Sequence, residues 1–402
     1  MPTLPAAPWP EHRATITGCR RVLIVAHTVP STTQLLRVAP LFRSDRRVQL
    51  HFTRAPDDFG DGVDDVLREL GVKPIPWDAA AKAPYQLALA ASLGELHKVH
   101  APIVTLPHGA GHHKLVPAKP GGGPPAAREV YGFDRPRLIR DGRFIPTKIT
   151  LSHTDQLAQL DGSCPGAAEA QVGAVVGDPI HDQIIAGLPN RAHYRRALGL
   201  RDRRRLVVVV SSTWGAQSLY NQDESLLPRL LTELPRDSYR VIAVLHPNIQ
   251  VEHGQYQIDL WLDGCRRMGL RVVEPQDDWQ AAVIAADWVI GDHGSVTLYA
   301  TLAPAPVLLA TFPGSAVAPG SPPAVFAEAA PRLGLGRLDP PIEAQLRAAA
   351  PPSAPTGLVG RRITSEPGRF AQNMRRLLYG ILELPEPPWP AELPPIRTPR
   401  CA

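Results

Sequence analysis

Several stretches of this chain gather side chains that can move protons or hold phosphate, and each closes an apolar run. The stretch Leu106-Pro-His-Gly-Ala-Gly-His-His-Lys-Leu115 carries His108, which can exchange protons near neutral pH, and Lys114, which can meet a phosphate. Gly109 and Gly111 allow close backbone approach; equally, the stretch is a Gly-rich loop with solvated histidines. His108, His112 and His113 have no carboxylate or cysteine beside them, which argues against a metal centre. Val210-Ser-Ser-Thr-Trp-Gly215 ends in Ser211, Ser212, Thr213 and Trp214, and its hydroxyls suit either phosphate oxygens or a helix cap. In His246-Pro-Asn248, Pro247 fixes a turn and leaves His246 either functional or satisfied locally. Trp288 to Tyr299 runs from apolar residues through Gly291 into Asp292, His293, Gly294 and Ser295, then into a helical pattern. Free N–H groups and the dipole at such a helix start favour an anion, although Asp292 could be a plain cap. His27 closes the first apolar run and is a further candidate for acceptor or phosphate contact.

The elements that must carry these residues alternate. Strands are expected at 21–26, 48–53, 85–91, 103–106, 148–152 and 173–176, with helices at 32–42 and 62–70. The pattern restarts with a helix at 191–198 and strands at 205–210, 240–245, 270–273, 287–291 and 307–310. Helices at 226–234, 256–268 and 279–286 fall between them, and an amphipathic helix covers 369–382. Alternation of this kind predicts an α/β protein with parallel sheets, in two Rossmann-like domains facing a cleft, a common place for a small ligand. The expected boundaries are a Pro-rich tail at 1–18, α/β domains at 19–185 and 190–365, a C-terminal helix at 366–383 and a second Pro-rich tail at 384–402. Residues 117–128, 313–323 and 350–357 read as loops.

Composition is consistent with this. A length of 402 residues suits two domains of roughly 150–200 residues, and 44% hydrophobic content is enough for both cores. A net charge of +5 suits a phosphate-bearing partner but lacks the dense basic stripe of a nucleic-acid binder. Cys19, Cys164, Cys265 and Cys401 are scattered, so neither a zinc site nor a disulfide framework is indicated. The N-terminus has no signal-peptide apolar region, and no run approaches the ~18 residues needed to span a bilayer. Cytoplasmic location, with peripheral membrane contact open, is the expectation. No G-x-x-x-x-G-K-[ST] loop occurs, which disfavours a P-loop GTPase.

The order of these motifs resembles the CDP-glycerol glycerophosphotransferase family, the teichoic-acid-type polymerases, which have the GT-B fold. Pro107-His-Gly-Ala-Gly-His-His-Lys-Leu115 is similar to the family's His-Gly segment with its following lysine, with one residue extra. Gly177-Asp-Pro-Ile-His-Asp182 matches its junction segment, His246-Pro247 its His-Pro step, and Asp292-His-Gly-Ser295 resembles its Asp-x-Ser-Ser turn. The resemblance implies that 19–185 is the acceptor domain and 190–365 the nucleotide-donor domain, with the helix at 366–383 packing back across the cleft. It also implies His108 as general base on an acceptor hydroxyl, with His246 and 292–295 on the donor's phosphates. It implies a CDP- or UDP-linked donor, a glycan, lipid-linked or metabolite acceptor, and no cofactor, because histidine and backbone donors can balance the charge. The His-Gly pair at 293–294 also resembles nucleotide-sugar glycosyltransferases, so the transferred group could be glycerol phosphate or a sugar. Two alternatives stay open. One is a nucleotide-sugar epimerase-like enzyme, which would draw on Asp178, Asp182 and Asp292. The other is a non-catalytic nucleotide or glycan sensor.

Overall fold

The computed structural model describes residues 15–116, 129–200, 206–275, 277–336, 338–349 and 354–398. The loop expected at 117–128, the first 14 residues of the N-terminal tail and Cys401 lie outside the described residues. Contacts divide the chain into two compact units. Of the described residues, the first unit holds those up to 112, 129–179 and 364–394, and the second holds 113–116, those within 180–363 and 395–398.

The first unit is built on strands β1 (Arg20–Ala26), β2 (Val48–Arg54), β3 (Leu87–Ala90) and β4 (Ile103–Thr105). A short hairpin, β5 (Ile139–Arg140) and β6 (Arg143–Phe144), precedes β7 (Lys148–Leu151) and β8 (Gly173–Val175). The six-stranded sheet has the order β2-β1-β3-β4-β7-β8, and every pairing is parallel. Val22 through Ala26 are 0% exposed, as expected where helices cover both faces of a parallel sheet. Helix Val29–Val38 follows β1; Thr28 and Ser31 cap it reciprocally, which satisfies otherwise orphaned N–H groups. Helix Phe370–Ile381 buries Phe370, Met374, Leu378 and Tyr379 against Val22, Ile24, Leu35 and Phe42, so the C-terminal helix completes the core of the first unit. The Tyr379 hydroxyl donates to Asp45 at 2.8 Å. The Arg47 guanidinium beside that carboxyl, together with this hydroxyl, holds it at a pKa of about 2.

The second unit contains β9 (Leu206–Ser212), β10 (Tyr239–Leu245), β11 (Arg271–Val272), β12 (Trp288–Gly291) and β13 (Val307–Leu309). Its order is β11-β10-β9-β12-β13, again all parallel. Within this unit the strands run 3-2-1-4-5, and in the first they run 2-1-3-4-5-6. Both are doubly wound, with a topological switch where ligands bind outside the carboxyl ends. That switch lies between β9 and β12 in the second unit and between β1 and β3 in the first.

Two Pro-, Ala- and Ser-rich stretches expected as loops enter helices instead. Pro322–Ala329 is helical behind Ser321, and Ala354–Ile363 is helical. Proline is favoured in a helix's first turn, where its missing N–H has no partner to lose, so Pro322 and Pro323 start that helix. Helices Pro179–Gly187, Pro247–His253 and Ile342–Ala348 are additional for the same reason, since each begins at or just after a proline.

Candidate functional site

In the second unit, the ends of β9 and β12 meet at the switch point through Asp292. This side chain is 1% exposed. Its Oδ2 accepts the N–H groups of Thr213 and Leu219, both at 2.9 Å, and its Oδ1 accepts that of Gly294 at 2.8 Å. Charge-assisted bonds of this kind are the strong ones, so Asp292 staples two strand-end turns together. Ser212 works inside the same frame: its hydroxyl donates to Thr213 O at 2.8 Å and accepts the Tyr220 N–H at 2.9 Å. Ser211 is also buried.

Close packing explains the glycines. A Cβ on Gly291 would lie 2.1 Å from Thr297 Oγ1, and one on Gly294 would lie 3.0 Å from Asp292 Oδ1. Helix Ser295–Ala300 has six residues and begins at Ser295 behind Gly294. Its contribution to an anion site is therefore small, and the Gly294 N–H is already taken by Asp292.

Positive charge arrives from elsewhere in the chain. The segment beginning at His113 belongs to the second unit. There the Leu115 N–H donates to Ala316 O at 3.0 Å and the Ala318 N–H to His113 O at 2.8 Å. This antiparallel bridge sets Lys114 Nζ 3.4 Å from Thr213 Oγ1. Burial pushes the Lys114 pKa below its ordinary value, and Asp292 opposes the shift. Burial likewise lowers the pKa of His293, against Asp292 and with help from Lys114. The His293 Nδ1 is buried and has no hydrogen-bond partner among the described residues.

On the neighbouring strand end, His246 caps helix Pro247–His253, its Nδ1 accepting the Asn248 N–H at 3.1 Å. That bond places the ring proton of neutral His246 on Nε2. Trp214, 39% exposed, lies with its ring 6.2 Å from that imidazole.

In the first unit, two histidines anchor to the segment following β3. His108 Nδ1 lies 3.0 Å from Ala91 O, and His27 Nε2 lies 2.7 Å from Gly94 O. A carbonyl oxygen only accepts, so in both rings the bonded nitrogen carries the proton. His108 is exposed, and in its neutral form Nε2 holds the lone pair. Its ring stands edge-on to Tyr131, centroids 6.5 Å apart, and the Arg137 guanidinium lies 4.6 Å from the centre of the Tyr131 ring. His27 is 0% exposed, with Nδ1 unpartnered among the described residues. Burial lowers its pKa, outweighing the Gly94 bond. Being enclosed, His27 cannot touch a phosphate in this conformation; it braces β1 against the segment after β3. His112 stacks on Phe133 at 4.2 Å, and burial takes its pKa down to about 4.

The junction motif is also built from close packing. Gly177 has φ +98, and a Cβ there would lie 3.0 Å from Glu366 O. Asp178 is 2% exposed, and Asp182 Oδ1 lies 3.1 Å from His181 Nδ1.

Thus the structure brings Lys114, Ser212, Thr213, Asp292 and Gly294 into one cluster in the second unit, with Trp214 and His246 on the adjoining strand end. In the first unit, His27 and His108 share one backbone segment. Sequence reasoning missed the anchoring carbonyls of Ala91 and Gly94, because a backbone acceptor leaves no mark in residue type. It also missed Gln280, whose fully buried amide has no partner among the described residues. A polar residue opening an apolar helix was the available signal. Among the described residues no group of three His, Cys, Asp or Glu side chains is placed to hold a metal. No helix there is long and apolar enough to cross a membrane.

No protein-family model matches the sequence, and no curated protein matches it. Solved structures do match. The wall teichoic acid polymerase TagF aligns with a TM-score of 0.57 and 13% identity, over 92% of this chain and 90% of that one. A TagF variant soaked with CDPG aligns at 0.56 and 12%, over 90% and 88%. HepE from Anabaena, in complex with UDP-glucose, aligns at 0.50 and 13%, over 90% and 99%. At such identities the likeness is one of fold: the chain has the GT-B fold, with two Rossmann-like units.

Proposed function

We propose that this protein is a transferase that moves a glycerol-phosphate or glycosyl group from a CDP- or UDP-linked donor to a hydroxyl acceptor. One observation carries the reading: at the switch point of the second unit, the buried Asp292 locks two strand-end turns and Lys114 Nζ stands 3.4 Å from Thr213 Oγ1. A rigid backbone frame with a single ammonium beside it suits a phosphate. In this reading Lys114, the Thr213 hydroxyl, His293 and Ser295 hold the donor's phosphates on the turn that Asp292 and Gly294 shape, and Trp214 and His246 border the nucleoside. The structural relatives point the same way, since the TagF variant was soaked with CDPG and HepE was solved with UDP-glucose.

His108 has the tautomer a general base needs, with Nδ1–H held by Ala91 O and the lone pair on Nε2. The acceptor oxygen attacks phosphorus or the anomeric carbon as Nε2 takes the hydroxyl proton. The bond to the nucleotide's phosphate breaks, and that phosphate leaves with the bonding electrons. The acceptor is a hydroxyl of a glycan, a lipid-linked glycan or a metabolite, and the reaction is placed in the cytoplasm, with peripheral membrane contact left to the acceptor's nature. Of the three carboxylates the epimerase-like alternative would draw on, Asp178, Asp182 and Asp292, the last is taken by three backbone N–H groups. A nucleotide sensor would share the binding site but not depend on His108.

Thermal-shift measurements with CMP, CDP, UMP and UDP test the reading. Stabilisation by the diphosphate of one pyrimidine nucleoside is expected, and failure of all four nucleotides to stabilise the protein would overturn it.

A further inference from the structure

A cavity of about 500 Å³ opens beside Ile103, the first residue of β4. It therefore lies at the amino-terminal edge of the first sheet, opposite the edge that carries His108. Leu96, Val99 and Ile103, all buried core residues, line it, and its volume suits a small organic ligand. The hairpin of β5 and β6 supplies Arg140, Asp141 and Arg143 to its rim, and His97 joins them. Asp141 and Gly142 form the two-residue turn of that hairpin with φ +50 and +73, the left-handed conformation such tight turns need. The turn makes Arg140 and Arg143 direct cross-strand partners. Residues placed so leave the same face of the pair, and like charges there destabilise it. Among the described residues neither guanidinium pairs with a carboxylate: Glu95 is bonded to Lys98, and Asp134 to Arg137. The bond to Lys98 holds the Glu95 carboxyl below its ordinary pKa, with His97 and Arg140 adding to the shift. Asp141 is the one carboxylate among the lining residues, so two guanidiniums face one negative charge on the rim. The Ile145 N–H donates to Leu138 O and the Thr147 N–H to Ile103 O, both at 2.8 Å. These bonds close the hairpin and tie its outgoing strand to β4, so the arginine pair is held in place without a ligand.

We propose that this cavity binds a phosphate monoester, its phosphate between the Arg140 and Arg143 guanidiniums and its organic group over Leu96, Val99 and Ile103. One guanidinium fork already matches a carboxylate. A phosphate monoester brings three acceptor oxygens and a charge of about −1.5 to −2 at pH 7, so it has acceptors for two forks. Bound there, it turns a repulsive cross-strand pair into a bridged one. A nucleic-acid backbone would instead call for basic groups spaced along a surface, not one pair over an apolar floor. None of these residues belongs to the proposed donor or acceptor sites, so the outcome is independent of the transfer reaction.

Calorimetric titration of the full chain with phenyl phosphate and with inorganic phosphate reads the site. Phenyl phosphate should bind with a Kd of about 0.1–1 mM, and at least about threefold more tightly than inorganic phosphate, because its ring covers apolar surface. Arg140→Gln combined with Arg143→Gln should weaken it by at least about tenfold, while Lys114→Gln should leave it unchanged. Arg143→Glu should abolish binding and yet raise the melting temperature of the free protein by about 1–3 °C, because opposite charges then face each other across the hairpin. A general loss of structure would lower both. Vesicles of phosphatidylcholine with phosphatidic acid separate the two sources of such a phosphate. Co-sedimentation that Arg143→Glu removes identifies a lipid headgroup, and phenyl phosphate binding without co-sedimentation identifies a free ester. No binding of either phosphate up to about 10 mM overturns the proposal. So does phenyl phosphate binding that survives the double arginine variant or is lost in Lys114→Gln.

Discussion

The two sheets place chemistry at the same topological position and use it in opposite ways. At the switch point of the second unit, side chains serve the backbone: Asp292 and Ser212 spend their oxygens on N–H groups of Thr213, Leu219, Gly294 and Tyr220. In the first unit the backbone serves the side chains: Ala91 O and Gly94 O each hold one nitrogen of a histidine and fix its tautomer. The first arrangement makes a stiff, shaped frame suited to binding. The second makes two oriented imidazoles, of which His27 is enclosed and His108 is exposed and suited to proton transfer. Similar strand ends therefore give a rigid backbone frame in one unit and backbone-anchored histidines in the other, which the proposed reading uses as holder and proton carrier.

The sharpest way to break that contrast is His108→Ala. Loss of a general base should lower turnover by about 10²–10⁴-fold while leaving nucleotide-induced stabilisation intact, measured with transfer assays and thermal shift on the same preparation. Equal loss of both would mean the imidazole is part of the binding frame. Asp292→Asn attacks the other side. The amide keeps the shape but offers one acceptor oxygen where three N–H groups need two, so urea unfolding should show a loss of about 2–4 kcal/mol. A near-neutral result would show that the staple is dispensable.

Acidification separates the units further. His112 has a folded-state pKa of about 4 against an ordinary 6.5, and His27 is lowered in the same direction. A histidine depressed by folding binds fewer protons in the native state than in the unfolded one. Its contribution is full above pH ~6.5 and is lost as pH falls toward the folded pKa, up to about 3 kcal/mol for His112. Urea midpoints measured from pH 7 to pH 4.5 should fall, and less steeply in His112→Phe. Gly291→Ala should cost about 1–3 kcal/mol by crowding Thr297, partly recovered in Gly291→Ala with Thr297→Ala, as read by melting temperature.

The smallest effect concerns Lys114. Lys114→Gln should weaken nucleoside diphosphate binding by about tenfold, the worth of one charge-assisted contact. A bound phosphate favours the ammonium form, so wild-type affinity should fall as pH rises through the lysine's pKa in the complex. Calorimetry in the variant should show that dependence flattened. Unchanged affinity would remove the lysine from the donor site and leave the staple alone as its basis.

Much of this was legible in the chain. Runs such as Arg21–Ala26 and Leu206–Val210 announce buried strands, because only a parallel sheet covered on both faces tolerates unbroken Val, Ile and Leu. Where such runs stop in Gly, Ser, His or Asp, strand ends and candidate chemistry follow, and residues 108, 212, 246 and 292 were all found that way. The helices at 322–329 and 354–363 were hidden because proline marks both loops and helix starts, and composition alone does not separate the two. The role of Asp292 was hidden as well, since its three partners are backbone N–H groups, of which Thr213 and Leu219 stand far away in sequence.

What the sequence determined by itself is the class of fold and the set of polar residues at its strand ends, because hydrophobic period and chain punctuation are local properties. What only the tertiary structure decided is how each of those residues is used. Strand order placed β9 beside β12 and β1 beside β3. An antiparallel bridge at 316–318 carried Lys114 into the second unit, and two carbonyls after β3 chose the tautomers of His27 and His108. Those outcomes depend on contacts between residues far apart in the chain, and such contacts exist only once the sheets have formed.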